Sequence, residues 1–416
     1  MNYAAIISIG RELLTGDIPN SNATYLAAFV RRFGYLTRRI IMVDDDETEI
    51  IQALDSLRPE EKLVFITGGL GPTSDDVTRP VLARYFKAQL VFREDIYQKI
   101  AAVFEKRGIK MPENNRVQAY FPDNAELLPN IVGSAPGMKF SRDERLYYVL
   151  PGVPREMEAM LEEIIAPQLQ NSSEPLTERL YHFVGMPESL LYERLRNWME
   201  QHPEMSFSFR PRDTQIDLAV LLPALEAAKM LTAFEIHLKE QVGSTLYGSG
   251  EDTLESVIAN LLVKHSLTIA TAESCTGGLI AHRITNVPGS SLYFKMGVVA
   301  YSNAAKVKLL GVREATIKKY GAVSNATAEE MAMGIRQLAE TDIGLSSTGI
   351  AGPSGGSAAK PVGLLYVGLA WDDKVQSYKF QYRRDRLVNK AFFAQAALNQ
   401  LRLALLNSIL HKKIKV

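Results

Sequence analysis

The segment Lys62–Asp76 reads KLVFITGGLGPTSDD, a short apolar run that leads directly into a glycine-rich turn. A segment with helical periodicity, Val77–Phe86, follows the turn. The same alternation surrounds it, with strands predicted at Ala4–Ile9, Tyr35–Val43 and Arg145–Leu150, and helices at Asn22–Phe33 and Thr48–Leu57. This βαβ order is typical of a parallel, helix-covered sheet, so the first part of the chain is predicted to be a doubly wound α/β domain.

A second α/β pattern fills the last part of the chain. The predicted helices are Thr253–His265, Gly277–Thr285, Thr327–Ala339 and Leu387–Leu410, and the predicted strands are Leu267–Thr271, Gly297–Tyr301, Ile343–Ser347 and Gly363–Ala370. Between the two patterns, the polar stretch Asn171–Thr177 and the glycine-rich hinge Leu246–Asp252 enclose a strand, helix, strand, helix order. We therefore predict three domains: a doubly wound sheet at 1–170, a small α+β module at 178–245 and an α/β domain at 252–416.

The composition excludes several classes of protein. A chain of 416 residues indicates two to four domains, at roughly 100–200 residues each. Its 47 basic and 47 acidic residues cancel and 46% of residues are apolar, which excludes a disordered chain and nucleic-acid binding through bulk charge. No stretch approaches the ~18 apolar residues of a membrane span, and the N-terminus has no basic signal region, so we expect a cytoplasmic protein. The single cysteine, Cys275, excludes an internal disulfide, and six scattered histidines argue against a histidine metal site.

Unusual loops follow the predicted strands of the first domain. They are GRELLTG at Gly10–Gly16, DDD at Asp44–Asp46, GGLGPTSDD at Gly68–Asp76 and PGVPRE at Pro151–Glu156. In an open α/β sheet the ligand lies beyond the carboxyl ends of the strands, so we expect these loops to meet at one crevice.

The same loops carry groups suited to a phosphate and a cation. The amides of Gly68, Gly69 and Gly71 lie between a strand and a helix, where they can bind a phosphate. Carboxylates that can hold a divalent ion between phosphates are Glu12, Asp45, Asp75 and Asp76. For Asp75 and Asp76, a role as helix caps is the alternative.

The segment Thr271–Gly278 reads TAESCTGG and joins a strand end to a helix start. A nucleophile on such a turn points toward solvent, and the N–H groups of the helix start can stabilise an oxyanion. Ser274 is the predicted nucleophile. Cys275 is the alternative, although we expect a small buried side chain there because adjacent residues after a strand point to opposite sides.

A serine nucleophile needs a base, and the next polar cluster, YSNAAK, ends in Lys306. A desolvated lysine has a lowered pKa and can remove the serine proton, with Tyr301 relaying the proton or orienting the amine. The alternative for Lys306 is a solvated charge on a helix.

Two further loops are predicted to complete this pocket. They are GAVS at Gly321–Ser324 and TGIAGPSGG at Thr348–Gly356, for which a plain surface loop is the alternative. The predicted substrate-binding residues of the pocket are Thr276, Gly277, Gly278, Asn303, Ser324, Gly349, Gly352, Gly355 and Gly356.

In this order and spacing, AESCTGG, YSNAAK, GAVS and GIAGPSGG resemble the C-terminal domain of the CinA family, which deamidates nicotinamide mononucleotide (NMN). The first part resembles the CinA N-terminal domain, related to molybdopterin-binding proteins, through GRELLTG, NSN at Asn20–Asn22, GGLGPTSDD, NNRVQA, GSAPGM and PGVPREM. The resemblance implies that NMN is hydrolysed to nicotinate mononucleotide and ammonia, with Ser274 and Lys306 as catalytic residues and no cofactor.

For the N-terminal domain, the resemblance implies a metal-dependent pyrophosphatase that cleaves ADP-ribose to AMP and ribose 5-phosphate. The family pattern singles out Asp45 from its acidic neighbours, and the NSN motif adds Asn22 to the substrate-binding residues. The identity of the divalent metal is left open.

The resemblance as a whole implies a bifunctional nucleotide-salvage enzyme, and two other functions are alternatives to it. One is a non-catalytic protein of competence or DNA damage that senses nucleotides, and the other is a pterin or molybdenum-cofactor activity at the N-terminal site. We expect small-molecule nucleotides as partners, and neither a membrane nor RNA, since the middle module lacks a GXXG loop and a basic stripe. An exposed apolar face on the long C-terminal helix would favour a homodimer.

Overall fold

The computed structural model describes residues 2–106, 108–170 and 174–407. Its contacts divide the chain into two compact units, Met1–Thr177 with Leu222–Ala228, and Glu178–Leu221 with Lys229–Val416. The first three residues of the predicted polar linker and the last three of the predicted C-terminal helix lie outside the described residues.

The first unit is built on a six-stranded sheet with the order β2-β1-β3-β8-β7-β6. Its strands, with the separate pair β4 and β5, are β1 Asn2–Ile9, β2 Tyr35–Val43, β3 Glu61–Thr67, β4 Leu90–Phe92, β5 Tyr120–Pro122, β6 Glu126–Leu128, β7 Gly137–Arg142 and β8 Arg145–Leu150. The four strands predicted from the sequence, β1, β2, β3 and β8, are all present and mutually parallel. The added strands β7 and β6 run antiparallel to their neighbours.

Helices cover both faces of this sheet. They are α1 Arg11–Leu14, α2 Ser21–Arg31, α3 Glu47–Asp55, α4 Thr78–Tyr85, α5 Glu94–Lys106, α6 Pro154–Met160 and α7 Ala166–Leu169, with a π-helical turn at Leu161–Ile165 and a 3-10 turn at Glu113–Ala119. Alternate side chains of β1 enter different cores, since Ala5 and Ile7 pack with α3 and α4 while Ala4 and Ile6 pack with α2 and α6. This two-sided burial is the doubly wound α/β arrangement predicted from the sequence.

The second unit begins with a four-stranded sheet in the order β10-β11-β9-β12. Its elements are β9 Leu176–Phe183, α8 Glu188–Gln201, β10 Ser206–Pro211, β11 Ile216–Pro223, α9 Ala224–Val242 and β12 Leu246–Ser249. Residues 176–177 of β9, the end of β11 and the start of α9 are grouped with the first unit. Two predictions were wrong here. A hairpin of two strands replaces the single strand expected between the helices, and the expected hinge at Leu246–Asp252 begins with β12, whose Leu246 pairs with Phe183 of β9. The glycines of the segment indicated a hinge, whereas Gly248 leaves room for the Asp252 side chain beside the strand.

The rest of the second unit is a five-stranded sheet in the order β14-β13-β15-β16-β17. Its elements are α10 Leu254–Lys264, β13 Ile269–Glu273, α11 Leu279–Thr285, β14 Phe294–Val299, α12 Asn303–Leu310, α13 Glu314–Tyr320, α14 Asn325–Leu338, β15 Ile343–Gly349, β16 Leu364–Trp371, β17 Lys374–Gln381 and α15 Arg386–Leu406. Strands β14, β13 and β15 are parallel, whereas β16 and β17 continue the sheet antiparallel. The carboxyl ends of the three parallel strands therefore open at one edge of the sheet.

Helix α15 packs into the core of its own unit. Phe393, Leu398, Leu401 and Leu405 are all buried there. The apolar face that we expected to favour a homodimer is thus covered within the chain, and the homodimer stays a prediction. None of the described helices is long and apolar enough to cross a membrane.

Candidate active site

The turn after β13 places Ser274 at the edge of the five-stranded sheet where the carboxyl ends of β14, β13 and β15 lie. All five residues of β13 are buried, and the Ser274 amide donates to the Ser347 carbonyl on β15 at 3.0 Å. Gly277 and Gly278 follow with φ of 64° and 94°, values that favour glycine. The serine is held at the end of a central strand, and its side chain is only slightly exposed.

Glu273, which precedes the serine, was not singled out in the sequence. Its buried carboxylate accepts hydrogen bonds from the amides of Gly278, Ile280 and Ala281 at 2.8–3.0 Å. This carboxylate occupies three amides of the helix start, so those three are not available to an oxyanion, and oxyanion binding by the remaining amides stays a prediction. The amides of Cys275 and Thr276 are not among those three. The signal in the sequence was an acid just before a glycine pair at a helix start.

Lys306 lies in the first turn of α12, whose start is capped by Ser302. Its Nζ lies 3.0 Å from Ser274 Oγ, 2.9 Å from the Ala300 carbonyl oxygen and 3.4 Å from the Tyr301 carbonyl oxygen. The side chain is buried, and burial lowers the pKa of the Lys306 ammonium below its ordinary value of 10.5. The three oxygen partners are a hydroxyl and two carbonyls, so none of them supplies the negative charge that would hold the pKa of the ammonium at its ordinary value.

Cys275 is buried, as expected for a small side chain at this position. Burial raises the pKa of its thiol to about 12, so the thiol is protonated near neutral pH and is a poor nucleophile. The next residue, Thr276, is buried and its hydroxyl lies 2.7 Å from Ser347 Oγ. Thr276 therefore joins the nucleophile turn to β15.

Tyr301 occupies the edge of the site rather than its centre. Its side chain is 61% exposed, and its hydroxyl accepts a hydrogen bond from Arg386 at 3.0 Å. Lys306 is bonded to the carbonyl of Tyr301, not to its hydroxyl. The tyrosine side chain thus contacts a cation of α15, and its catalytic role stays a prediction.

The glycine-rich loop after β15 is held by the start of α15. Arg386 donates to the Gly352 carbonyl at 2.6 Å, and the buried Asn389 donates to the Ala351 carbonyl at 2.9 Å. Gly352 and Gly355 have φ of 90° and 88°, and a β-carbon built on Gly349 would lie 3.1 Å from the Cys275 sulfur. The loop is therefore next to the nucleophile turn, and Arg386 and Asn389 are residues that the sequence reasoning missed.

Two predicted binding residues sit at helix starts. The Ser324 hydroxyl accepts from the Thr327 amide and donates to the Gly321 carbonyl, so it caps α14. Asn303 is the first residue of α12 and lines an open groove of about 640 Å³ with Val307 and Ile317. Substrate contact by either residue stays a prediction.

In the first unit, the loop after β3 forms a rigid, internally bonded turn. Both oxygens of Asp76 are bonded within the loop, one to the Gly71 amide at 2.7 Å and the other to the Thr73 amide at 2.8 Å. The buried Arg79 donates to the carbonyls of Leu70 and Gly71, and burial lowers its pKa to about 10. Gly68 and Gly69 have φ of 104° and 64°. The backbone path of the predicted phosphate loop is thus fixed by Asp76 and Arg79.

The three carboxylates of the acidic segment after β2, Asp44–Asp46, have different roles. Asp44 pairs with Arg11 at 2.9 Å, and Asp46 caps α3 by accepting from the amides of Thr48 and Glu49. Asp45 lies beside Gly69, and one of its oxygens accepts from the Arg11 amide at 3.2 Å. Burial raises the pKa of Asp45, with nearby Glu12 and Asp75 adding to the rise. Asp45 is therefore the acid of this segment that faces the glycine loop.

The four predicted metal ligands do not form a ready coordination cage. Among the described residues, no three His, Cys, Asp or Glu side chains are grouped so that they could hold a metal ion. Asp76 is engaged within its loop, and Asp75 is exposed. The donor set therefore does not fit a resident metal held by protein ligands alone, and the cation stays a prediction. Asn22 donates to the Gly152 carbonyl at 2.8 Å, joining α2 to the loop after β8, and its contact with substrate stays a prediction.

Comparisons with known proteins agree with both halves of this description. The family model of the CinA C-terminal domain matches residues 251–405, and that of the probable molybdopterin binding domain matches residues 5–171. A protein of Caldicellulosiruptor bescii named "Putative competence-damage inducible protein" is 42% identical over 96% of this chain and 98% of its own length. A CinA-like protein of Kosmotoga olearia is also 42% identical, over 97% and 99%. A crystal structure of a CinA protein with unknown function from Thermoplasma acidophilum is 34% identical, covering 40% of this chain and 97% of its own with a TM-score of 0.37.

The fold and its sites define an α/β protein that joins a molybdopterin-binding-like domain to a domain with a buried serine and lysine pair. The chain belongs to the CinA family. This confirms the resemblance and the fold class predicted from the sequence.

Proposed function

We propose that the C-terminal site is an amidohydrolase that converts NMN to nicotinate mononucleotide and ammonia. The observation that carries the proposal is the 3.0 Å contact between Lys306 Nζ and Ser274 Oγ, made by a buried lysine whose partners are all neutral. A serine becomes a useful nucleophile only beside a base, and a lysine becomes a base near neutral pH only when its pKa is lowered.

In the first half-reaction, the neutral amine of Lys306 accepts the Ser274 hydroxyl proton while Oγ bonds to the carboxamide carbon. The carbonyl oxygen becomes an oxyanion, for which the amides of Cys275 and Thr276 are the candidate donors. Collapse breaks the carbon–nitrogen bond, and Lys306 returns the proton to the departing nitrogen, so that ammonia leaves and an ester on Ser274 remains. Water then adds with the same base, breaks the ester and releases the nicotinate carboxylate.

The neighbouring residues support this chemistry. Glu273 fixes the path of the turn that carries Ser274 through its three bonds to α11. The high pKa of the Cys275 thiol favours serine over cysteine as the nucleophile. Arg386 joins Tyr301 to the glycine loop across the opening of the site.

Incubation of the purified protein with NMN tests this proposal. We expect ammonia and nicotinate mononucleotide in equal amounts, formed in the presence of chelator as well as in its absence. Tight binding of NMN without ammonia release would instead favour the alternative of a nucleotide-sensing protein.

For the N-terminal unit we propose binding and hydrolysis of ADP-ribose to AMP and ribose 5-phosphate. The specific observation is that Asp45, with its raised pKa, faces the positive-φ glycines of the loop after β3. Loop amides suit the pyrophosphate oxygens, and a divalent ion entering with them needs only one or two protein carboxylates. Asp45 is the first candidate for such a contact.

The alternative at this site is a pterin, which related molybdopterin-binding proteins take. Two measurements separate these alternatives: the formation of AMP from ADP-ribose, and the binding of a pterin in a titration. AMP formation that needs a divalent ion supports the pyrophosphatase, whereas pterin binding without ADP-ribose turnover supports the alternative.

A further inference from the structure

Lys390 is a cation of α15 that lies against the nucleophile turn. A β-carbon built on Gly277 would lie 3.4 Å from Lys390 Nζ and 3.9 Å from its Cε. Gly277 closes a turn with Ser274, since its amide donates to the Ser274 carbonyl at 3.1 Å. Residues that close such a turn have Cα atoms within about 7 Å of each other. The ammonium therefore lies one short turn away from the reacting serine.

The side chain of Lys390 is partly buried and has no acceptor in the structure. Within the described ranges, no carboxylate lies within salt-bridge distance of its ammonium and no oxygen accepts a hydrogen bond from it. Helix α15 supplies no acid, since its sequence RLVNKAFFAQAALNQLRLALL contains neither Asp nor Glu. The ammonium of Lys390 is therefore a cation beside the nucleophile turn that no anion of the described residues neutralises, and an anionic ligand can pair with it.

A second lysine at the same site gives the contrast. Lys360 Nζ lies 2.7 Å from a β-carbon built on Gly321, but it donates to the Tyr320 carbonyl at 2.6 Å. Lys360 therefore has a structural partner that holds two loops together, whereas Lys390 has none in the described chain. Arg386, one helical turn before Lys390, is likewise bonded to Gly352 and Tyr301. Of these cations, Lys390 is the one left for a ligand.

We propose that Lys390 forms the phosphate subsite of the active site and selects 5′-phosphorylated pyridine nucleosides over the unphosphorylated nucleoside. This inference rests on the proposed deamidase. The substrate carries a carboxamide at one end and a dianionic phosphate at the other. A single molecule can therefore place its phosphate beside Lys390 and its amide carbon beside Ser274. An ammonium acts as a point charge toward phosphate and needs no fixed fork geometry.

The test compares NMN with nicotinamide riboside, which has the same carboxamide and no phosphate. In Lys390→Gln, we expect kcat/KM for NMN to fall about tenfold, through KM, while kcat/KM for the riboside stays unchanged. Lys390→Arg should keep most of the preference for NMN because it keeps the charge. The matched control is Lys374→Gln on β17, an exposed lysine outside the site, which should leave both substrates unaffected.

A binding measurement separates this inference from the proposed function. Calorimetry with ribose 5-phosphate on the Ser274→Ala protein should resolve a C-terminal site, distinct from the one proposed in the N-terminal unit, whose affinity becomes about tenfold weaker when Lys390→Gln is added. If wild type releases no ammonia, the deamidase proposal fails, yet loss of ribose 5-phosphate binding in Lys390→Gln would still support the phosphate subsite. Equal losses for NMN and the riboside, or no loss for either, would overturn the subsite.

Discussion

The ammonium nitrogen of Lys306 lies 3.0 Å from the hydroxyl oxygen of Ser274, although 32 residues separate them in the chain. The contact exists because β13 and β14 are parallel neighbours. Ser274 follows the end of β13, while α12 begins just after β14. The parallel sheet thus brings two separate motifs to one edge.

Replacement of Lys306 should stop the deamidase whether or not positive charge is kept. Lys306→Ala removes the base, and Lys306→Arg keeps a charge that cannot be given up near neutral pH, so we expect both to lose about 10²–10⁴-fold in kcat. Steady-state ammonia release measures this. An arginine variant with wild-type kcat would show that Lys306 only supplies charge.

The pH profile should follow the lowered pKa of Lys306. Activity requires the neutral amine, so kcat should rise with pH through that pKa and level off before 10.5, the ordinary value. Between the lowered pKa and 10.5 the folded protein binds fewer protons at this site than the unfolded chain, so this group makes the unfolding free energy rise with pH. Denaturant unfolding of wild type and Lys306→Met across that window measures the difference. A profile that falls over the same range would contradict the role of the neutral amine.

Glu273→Ala should destabilise the second unit. Three amides lose their acceptor, one of them buried and two partly buried, which costs about 1–3 kcal/mol, and the turn that carries Ser274 becomes free to move. Urea unfolding with Glu240→Ala, an exposed position on α9, as the control checks the prediction. Equal stabilities for the two variants would show that Glu273 does not hold the helix start.

Asp45→Asn and Asp76→Asn should both lower AMP formation, but for different reasons. Asp45→Asn removes the charge that faces the glycine loop, so we expect AMP formation from ADP-ribose to fall about 10–100-fold with stability unchanged. Asp76→Asn places an amide against the donors of Gly71 and Thr73, so it should lower stability as well. Rates and thermal unfolding measured together separate the two effects. A wild-type rate of AMP formation in Asp45→Asn would show that the pyrophosphatase site lies elsewhere.

Particular residues show what the sequence could predict. The strand ends carrying Ser274 and Gly68 were predictable because apolar runs followed by glycine turns have a local signature. Strand β12 was missed because Gly248 and Gly250 of the segment suggested flexibility, while the structure of the strand depends on pairing with distant β9.

The missed site residues share one cause. Glu273 and Lys390 differ from ordinary surface charges only in what lies next to them, three amides in one case and a glycine turn in the other. Asp76 was predicted as a ligand because the sequence gives its charge, whereas its hydrogen bonds within the loop depend on the folded turn. Burial and partners of charged side chains arise from tertiary contacts, which local patterns do not encode.

The most direct test of the account is ammonia release from NMN by three proteins, wild type, Ser274→Ala and Cys275→Ala, each with its ADP-ribose hydrolysis measured in parallel. We predict that Ser274→Ala releases no ammonia above background while AMP formation is unchanged, and that Cys275→Ala keeps most of the wild-type rate because its buried thiol takes no part. Full activity in Ser274→Ala, or loss of activity only in Cys275→Ala, would contradict the assignment of the serine and lysine pair.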